Sequence, residues 1–262
     1  MYQAPGQHAH VFQLPDADTT IWRYVDLSKF VSLLQSRALY FCRSDRFEDP
    51  FEGSYPIQPF VPIFSSVSPP AENGWVEEQF EQFAGREQQA RFRKQLREAL
   101  LVNCWHINKH ESEAVWKLYA QGGSGIAIRS TVERLKASLR CDERVYIGAV
   151  SYLDYTNATF PSTDIFHACM SKRKSFEHER ELRAVIFDQE RFAGPSGTYP
   201  IPLDKQKSFG ILAAVNLDQL MEEVRVHPAA PSHFQKSVQS LCEKYGLKGE
   251  VMASELDAEP RY

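Results

Sequence analysis

The sequence predicts an α+β fold: one domain built on a mixed or antiparallel central sheet with flanking helices. Segments with helical spacing and segments typical of buried strands follow one another without strict βαβ alternation, which argues against a doubly wound sheet. The 262 residues, 43% hydrophobic and 24% charged, are enough for one large core. We expect an N-terminal arm over residues 1–20 and a single domain over 21–262, with a loop and helical insertion over 57–100.

The first half of the chain alternates between the two kinds of segment. Asp26 or Ser28 can cap a helix in which Phe30, Leu33 and Leu34 recur at helical spacing. Four prolines between residues 57 and 74 favour a loop there. In order, the sequence predicts a strand (21–24), a helix (26–38), a strand (39–42), a polar loop (45–56), the proline-rich loop (57–74), one or two helices (75–101) and a strand (100–106).

The second half continues the mixture. The pair Gly122–Gly123 is a strong stop signal for the short helix before it. In order, the sequence predicts a helix (111–121), a strand (125–131), a helix (131–140), a strand (145–155), a helix (164–176), a strand (181–187), a Gly/Pro loop (194–200), a short apolar segment (213–217), a strand (223–228), a helix (232–247) and a last strand (250–254).

The overall charge argues against one class of protein. The net charge is −4 with an isoelectric point near 6.1, whereas proteins that coat nucleic acid are normally basic. No apolar run reaches the roughly 18 residues that cross a membrane, and the first 20 residues lack a signal-peptide pattern. We expect a cytoplasmic protein with reduced thiols, because its five cysteines are odd in number and scattered: Cys42, Cys104, Cys141, Cys169 and Cys242.

An acidic cluster precedes the predicted strand at 181–187. If the backbone from Glu179 to Glu181 is extended, both carboxylates point to the same face, where they repel each other. Such a pair can stabilise a cation that develops in a transition state, or orient a sugar hydroxyl. It can equally form ion pairs with Arg180 and Arg183 on the protein surface, and the spacing alone favours this second interpretation.

An arginine lies within the apolar first strand. Arg23, in the segment IWRY, must reach solvent, a carboxylate or a phosphate. A salt bridge to Glu48, Asp49 or one of the late glutamates and a planar grip on a phosphate are equally compatible with the sequence.

Other polar and aromatic segments favour structural roles. Trp116 and Tyr119 lie three residues apart on one helix, a spacing typical of core residues, although a ligand ring could stack there. The segment CWHINKH (104–110) spans a strand end, where its histidines lack zinc-site spacing, and FEDPFEG (47–53) predicts a turn. No metal is therefore expected, and no dinucleotide-binding glycine motif, P-loop or GxSxG elbow is present.

Six segments, taken together, carry a resemblance to a known family. IWRY, FEDPFEG, CWHINKHESEAVWKLY, GIAI, YLDY and KRKSFEHERELR occur in this order. The sequence resembles the bacterial domain-of-unknown-function family 2971 over roughly residues 20–255, least within the insertion at 57–100. The family name implies no activity.

A more distant resemblance does imply one. The sequence is similar to ADP-ribosyltransferases of the arginine–serine–glutamate type, which carry an Arg on the first strand, a Ser-Thr-Ser on a middle strand and a Glu-x-Glu before a later strand. Here these motifs match Arg23, Ser130–Thr131 and Glu179-x-Glu181, in the same order. Val132 stands where the third residue of the middle motif would be, which is a departure from the pattern.

The resemblance implies an NAD-consuming transferase or glycohydrolase, of the toxin or phage-defence type, that acts on an unknown protein or nucleic-acid acceptor. Glu181 would hold the ribose 2′-hydroxyl and stabilise the developing positive charge, while Glu179 would orient or deprotonate the acceptor. NAD-binding residues would be Arg23, which would hold the pyrophosphate, and also Tyr24, Ser130, Trp116 and Tyr119.

Two alternatives remain open from the sequence. A metal-dependent nuclease or nucleic-acid-binding protein would group Asp49, Glu179 and Glu181 around a metal ion, with the basic stretch 172–174 nearby. A non-enzymatic regulatory module would use the same charges as a buried ion-pair network. The transferase hypothesis requires Arg23 and Glu181 to share one cleft.

Overall fold

A long central strand organises a nine-stranded mixed sheet in the computed structural model, which describes residues 1–49, 51–53, 86–119, 123–156, 164–193, 208–247 and 249–258. The sheet contains β1 (Thr20–Asp26), β2 (Ala38–Arg43), β3 (Leu100–Ile107), β4 (Gly125–Thr131), β5 (Val145–Ala149), β8 (Glu181–Phe187), β9 (Gly210–Ala214), β10 (Glu223–Val226) and β11 (Val251–Met252). A separate parallel pair joins β6 (Ser151–Leu153) to β7 (Ser171–Arg173).

Eight helices flank the sheet in the described part of the chain. They are α1 (Leu27–Ser36), α2 (Arg86–Ala99), α3 (Glu113–Tyr119), α4 (Val132–Ser138), α5 (His167–Met170), α6 (Gln189–Ala193), α7 (Leu217–Leu220) and α8 (Ser232–Lys244). None of these helices is long and apolar enough to cross a membrane. The α+β fold class and its mixed sheet are confirmed.

The two edges of β3 pair with different numbers of strands. The first edge pairs with β8 alone, over the whole length of β3. On the other edge, β1 pairs only near the C-terminal end of β3, at His106 and Ile107, and β2 pairs only near the N-terminal end, at Leu101 and Val102. The sheet therefore divides between β1 and β2, and the middle of β3 is left at the bottom of an opening.

The two faces of the sheet differ in polarity. Residues opposite each other in an antiparallel pair share a face, so the registers place Ile21, Trp105 and Leu182 on one face. That face carries the main core, together with apolar residues of α1, α4 and α8. The other face carries Trp22, His106, Glu181 and Arg183, and polar groups concentrate there.

Local sequence signals explain where α1 begins and which of its residues are buried. The Asp26 carboxylate accepts a hydrogen bond from the Lys29 amide at 2.8 Å, which caps the first turn. Phe30, Leu33 and Leu34 are buried against the sheet, as their spacing predicts. The capping residue is Asp26 and not Ser28. The Ser28 hydroxyl donates a hydrogen bond to the Asp26 carboxylate.

Two segments differ from the sequence-based expectation. The single helix predicted over 164–176 is instead α5, β7 and a 3₁₀ helix over Lys174–Glu179, because residues 171–173 pair with β6. The strand predicted over 145–155 breaks at Val150, whose amide donates to the Glu181 carbonyl.

The N-terminal arm, expected to be loose, packs against the domain. Val11 and Phe12 are buried, and the amide of Ala149 donates to the carbonyl of Gln13. Of the one or two helices predicted over 75–101, α2 is observed from Arg86 to Ala99, and residues 75–85 lie outside the described residues. The loops predicted over 57–74 and 194–200 lie outside the described residues.

Candidate functional site

The opening between β1 and β2 is a cleft of about 700 Å³. This volume lies within the range of small-molecule binding sites. Residues from six separate parts of the chain line it, including Arg23, Glu52, His106, Lys172, Glu179 and Glu181.

Arg23 is a half-buried cation of this cleft. By strand parity its side chain leaves β1 on the face opposite Trp22, but beyond Trp22 the two strands β1 and β3 no longer pair. The guanidinium instead reaches the edge of β3, where it donates to the carbonyl of Cys104 at 2.8 Å. Arg23 and Glu181 therefore line the same cleft although they start from opposite faces.

No carboxylate among the described residues forms an ion pair with Arg23. Its charge faces the carbonyl of Cys104 and, at 5.9 Å, the ring of Trp105. Burial lowers the pKa of the guanidinium, because the charged form loses hydration. Neither Glu48 nor Asp49 provides the predicted salt bridge, and Asp49 pairs with Arg173 instead. The guanidinium is therefore available to an anionic ligand.

Glu179 and Glu181 converge on one lysine. The ammonium of Lys172 lies 2.9 Å from a carboxylate oxygen of each. The backbone between them is not the extended run that the sequence suggested, because Glu179 ends a 3₁₀ helix and Arg180 has a φ of 42°. The left-handed backbone of Arg180 changes the direction of the chain just before β8 begins. The two carboxylates still reach the same lysine.

A third carboxylate, from Glu52, completes the cluster. Its Oε1 lies 2.7 Å from the Lys172 ammonium and 3.0 Å from the guanidinium of Arg183. Arg183 also donates to the second oxygen of Glu181, at 2.7 Å. All five side chains are buried, so three negative and two positive groups form a network with one excess negative charge.

The network moves the pKa values of Glu179 and Glu181 in opposite directions. Burial alone would raise the pKa of Glu181, but Arg183 and Lys172 outweigh it and hold this pKa well below the usual range. Burial raises the pKa of Glu179, and the Glu181 charge adds to this effect although Lys172 opposes it. Glu181 is thus kept ionised, while Glu179 takes up a proton more readily.

His106 lies in the same row as Glu181. The registers place Trp22 on one side of it and Glu181 on the other. Its Nδ1 lies 2.6 Å from the backbone carbonyl of Glu179. Burial lowers the pKa of the imidazole, which favours the neutral ring.

The two tyrosines expected at an NAD site line the cleft. The hydroxyl of Tyr119 donates to Glu179 at 3.0 Å, while 52% of the residue stays exposed at the cleft mouth. Tyr24 is buried beside His106, at 6.4 Å between ring centroids, and its hydroxyl accepts from the Ser112 amide.

Two other expected residues lie outside the cleft. Ser130 is completely buried on the face that carries the main core, where its hydroxyl donates to the carbonyl of Leu220 at 2.6 Å. Trp116 is buried in the core beside Tyr24, and its indole donates to the Glu111 carboxylate at 2.9 Å. Neither side chain is placed to contact a ligand in the cleft, because each is enclosed by neighbouring elements.

Sequence reasoning assigned no site role to Glu52 or His106, and it considered Lys172 only as part of the basic stretch 172–174 beside an acceptor or nucleic acid. Glu52 is separated from Glu181 by more than a hundred residues, and its turn-like segment favoured a structural role. The available signal was composition: a lysine and an arginine flank the Glu-x-Glu pair at positions 172 and 183. Opposite charges this dense near an apolar strand indicate a buried network.

The carboxylates proposed for a nuclease do not gather around one point. Asp49 forms an ion pair with Arg173, whereas Glu179 and Glu181 share Lys172. Over the described ranges, no group of three His, Cys, Asp or Glu side chains is arranged to hold a metal ion.

Comparisons with known proteins find structural similarity at low scores. No family model matches the chain, so the resemblance to family 2971 has no support there, and no curated protein matches it. The chain is similar to Thermus sp. 2.9 DarT in complex with ADP-ribosylated ssDNA, at 10% identity and a TM-score of 0.38, over 94% of this chain and 98% of that one.

The same DarT is similar in two further complexes. With NAD+ the identity is 9% and the TM-score 0.39, over 94% of this chain and 98% of that one. With carba-NAD+ the identity is 13% and the TM-score 0.36, over 93% and 98%. Scores and identities this low allow no residue role to be transferred, so any role for these side chains has to be argued from the cleft itself.

Proposed function

We propose that the protein consumes NAD+, by transferring ADP-ribose to an acceptor or by hydrolysing the nicotinamide–ribose bond. One observation carries this proposal. Among the described residues, a guanidinium without a carboxylate partner, Arg23, lines the same cleft as two carboxylates whose pKa values move apart. NAD+ carries a pyrophosphate that needs a cation and a glycosidic bond whose cleavage develops positive charge on the ribose.

Glu181 is the residue proposed to stabilise that positive charge. Its pKa lies well below the usual range because burial, which alone would raise it, is outweighed by Arg183 and Lys172, so it carries a full negative charge near neutral pH. A fixed carboxylate at this place would accept a hydrogen bond from the ribose 2′-hydroxyl and favour an oxocarbenium-like transition state. Lys172 and Arg183 act as positioning residues, because they hold the two carboxylate oxygens in place.

Glu179 is the residue proposed to handle the acceptor. As the bond between ribose C1′ and the nicotinamide nitrogen breaks, its electron pair goes to the nitrogen and nicotinamide leaves uncharged. A hydroxyl of the acceptor, or water, forms the new bond to C1′ and gives its proton to the Glu179 carboxylate. A base with a raised pKa suits this step, and burial together with Glu181 raises that of Glu179.

Arg23 is proposed to hold the pyrophosphate, and Tyr24 and Tyr119 to border the bound dinucleotide. Arginine suits this role because its planar fork binds phosphate oxygens in pairs. Ser130 and Trp116 have no part in the proposed contacts. We infer a protein or nucleic-acid acceptor and an effector role of the toxin or phage-defence type.

The test is release of nicotinamide from NAD+, measured with no acceptor, with single-stranded DNA and with a protein extract. Replacing Glu181 by Gln should reduce release at least 100-fold, the scale of losing one fixed electrostatic contact to a transition state. Glu177→Gln is the matched control, because Glu177 is exposed on the same segment and should keep wild-type activity. Equal absence of release in wild type and in Glu181→Gln would contradict the proposal.

The buried network also supports a second candidate, a non-enzymatic module held together by its ion pairs. On that hypothesis Glu181→Gln lowers stability and removes no chemistry. Breaking one partner of a buried pair costs about 3–5 kcal/mol. Thermal unfolding of the same variants is therefore measured together with activity. If the wild type releases no nicotinamide and Glu181→Gln unfolds at a lower temperature, the result favours the non-enzymatic module.

A further inference from the structure

His106 has a nitrogen whose role the proposed function leaves unexplained. The ring lies between Trp22 on β1 and Glu181 on β8, at the base of the cleft. Its Nδ1 is 2.6 Å from the carbonyl oxygen of Glu179, and a carbonyl can only accept. Nδ1 therefore carries the proton, and in the neutral ring Nε2 is a hydrogen-bond acceptor.

That acceptor is buried without a partner. The residue is only 6% exposed, and Nε2 has no hydrogen bond to any described residue. Buried polar atoms are nearly always satisfied, since leaving one unpaired costs the free energy of its lost hydration. His106 is one of the residues that line the cleft, so its unpaired acceptor is suited to a donor on a ligand.

The neighbours of His106 limit which donor this is. On its β8 side, Glu181 is the group proposed to hold the ribose hydroxyl next to C1′. On its β1 side, Trp22 and Tyr24 border the cleft, and the ring centroid of Tyr24 lies 6.4 Å from that of His106. The base joined to C1′ would therefore lie beside His106, and the N–H donor of that base belongs to its carboxamide.

We propose that Nε2 of His106 accepts a hydrogen bond from the carboxamide N–H of the nicotinamide ring and so orients the base for departure. This inference rests on the proposed function. It makes His106 a specificity residue for pyridine rings that carry an amide. It also links base recognition to the acceptor carboxylate, because the same imidazole holds the backbone of Glu179 through Nδ1.

The test compares two free bases as inhibitors of NAD+ consumption: nicotinamide and 3-acetylpyridine. They share a pyridine ring and a carbonyl group, but the acetyl group has no N–H. For the wild type, the inhibition constant of nicotinamide should be about tenfold lower than that of 3-acetylpyridine. A tenfold ratio corresponds to a difference in binding free energy of roughly 1.4 kcal/mol. Measuring a ratio removes general effects on folding or on dinucleotide affinity.

Two variants separate the roles of the ring nitrogens. In His106→Asn the amide nitrogen takes the place of Nδ1 and can still donate to Glu179, but the acceptor is lost, so the ratio should fall to about one. In His106→Gln an acceptor oxygen can take the place of Nε2, so a preference of several-fold should return.

The outcomes are distinct. Equal inhibition of an active wild type by the two bases would overturn the inference and leave NAD+ consumption standing. A tenfold preference that persists in His106→Asn would also overturn it, since the acceptor would then be elsewhere. A wild type that consumes no NAD+ would overturn the proposed function, and this inference with it.

Discussion

Single residues in the network have opposite effects on how stability depends on pH. Glu181 has a lowered pKa in the folded state, so its contribution is complete above the unfolded value of about 4.3. That contribution is lost as pH falls from there through the folded pKa. Glu179 has a raised pKa, so it favours the folded state below the unfolded value and this benefit disappears as pH rises through the folded pKa.

We therefore expect two glutamine variants to differ in sign. Between pH 6 and pH 3, Glu181→Gln should lose less stability than wild type, by on the order of 1–2 kcal/mol. Glu179→Gln should lose more stability than wild type over the same interval. Urea unfolding at several pH values measures both slopes, and Glu177→Gln should follow wild type. Parallel slopes for all four proteins would show that the network does not couple these carboxylates to folding.

Residue-scale features were also the hardest to predict from the sequence. Arg23 and the Glu-x-Glu pair could be proposed because each stands out locally, as a charge beside apolar residues. Glu52 and His106 could not be assigned, since their roles come from contacts with segments far away in the chain. A position more than a hundred residues from its partner carries no periodic signal that identifies the partner.

At the scale of elements, periodicity predicted most helices and strands and failed where tertiary contacts decide. The helix α1 follows directly from its cap and its apolar spacing. The segment 164–176 has residues compatible with a helix, yet it contains a strand because β6 offers it a pairing edge. Element type at such places depends on a neighbour that local sequence does not contain.

The strand β4 supplies a test of the serine motif. Ser130→Ala should remove a buried hydrogen bond to Leu220 and destabilise the fold by about 1–2 kcal/mol. The kcat/KM for nicotinamide release should not change, because the hydroxyl lies on the core face of the sheet. Chemical denaturation and steady-state kinetics on one preparation measure both quantities. A loss of activity with unchanged stability would instead place Ser130 at the site.

At the scale of the whole molecule, the N-terminal arm is part of the fold rather than an appendage. Phe12 is buried in one apolar cluster with Val102, Phe166 and Val185. The arm approaches β5 so closely that a Cβ on Gly148 would lie 2.8 Å from the Cα of Phe12. Glycine is needed at position 148 for this contact.

Replacing Gly148 by Ala should therefore loosen the arm. The added methyl group meets backbone, which must shift, and overpacking of this kind costs about 1–3 kcal/mol. We expect faster limited proteolysis within the first 13 residues and a lower urea midpoint. Unchanged cleavage and an unchanged midpoint would mean that the arm adapts without cost.

The division of the sheet at β3 has a consequence for how a ligand can enter. Arg23 reaches one edge of that strand, and Glu181 lies on the strand along its other edge. A ligand that carries a phosphate and a cationic ring is attracted with the phosphate at Arg23 and the ring at Glu181. The opposite orientation would place the phosphate against the Glu181 carboxylate and is disfavoured. The cleft thus has a polarity of its own, and it can select the orientation of a ligand before any specific contact is made.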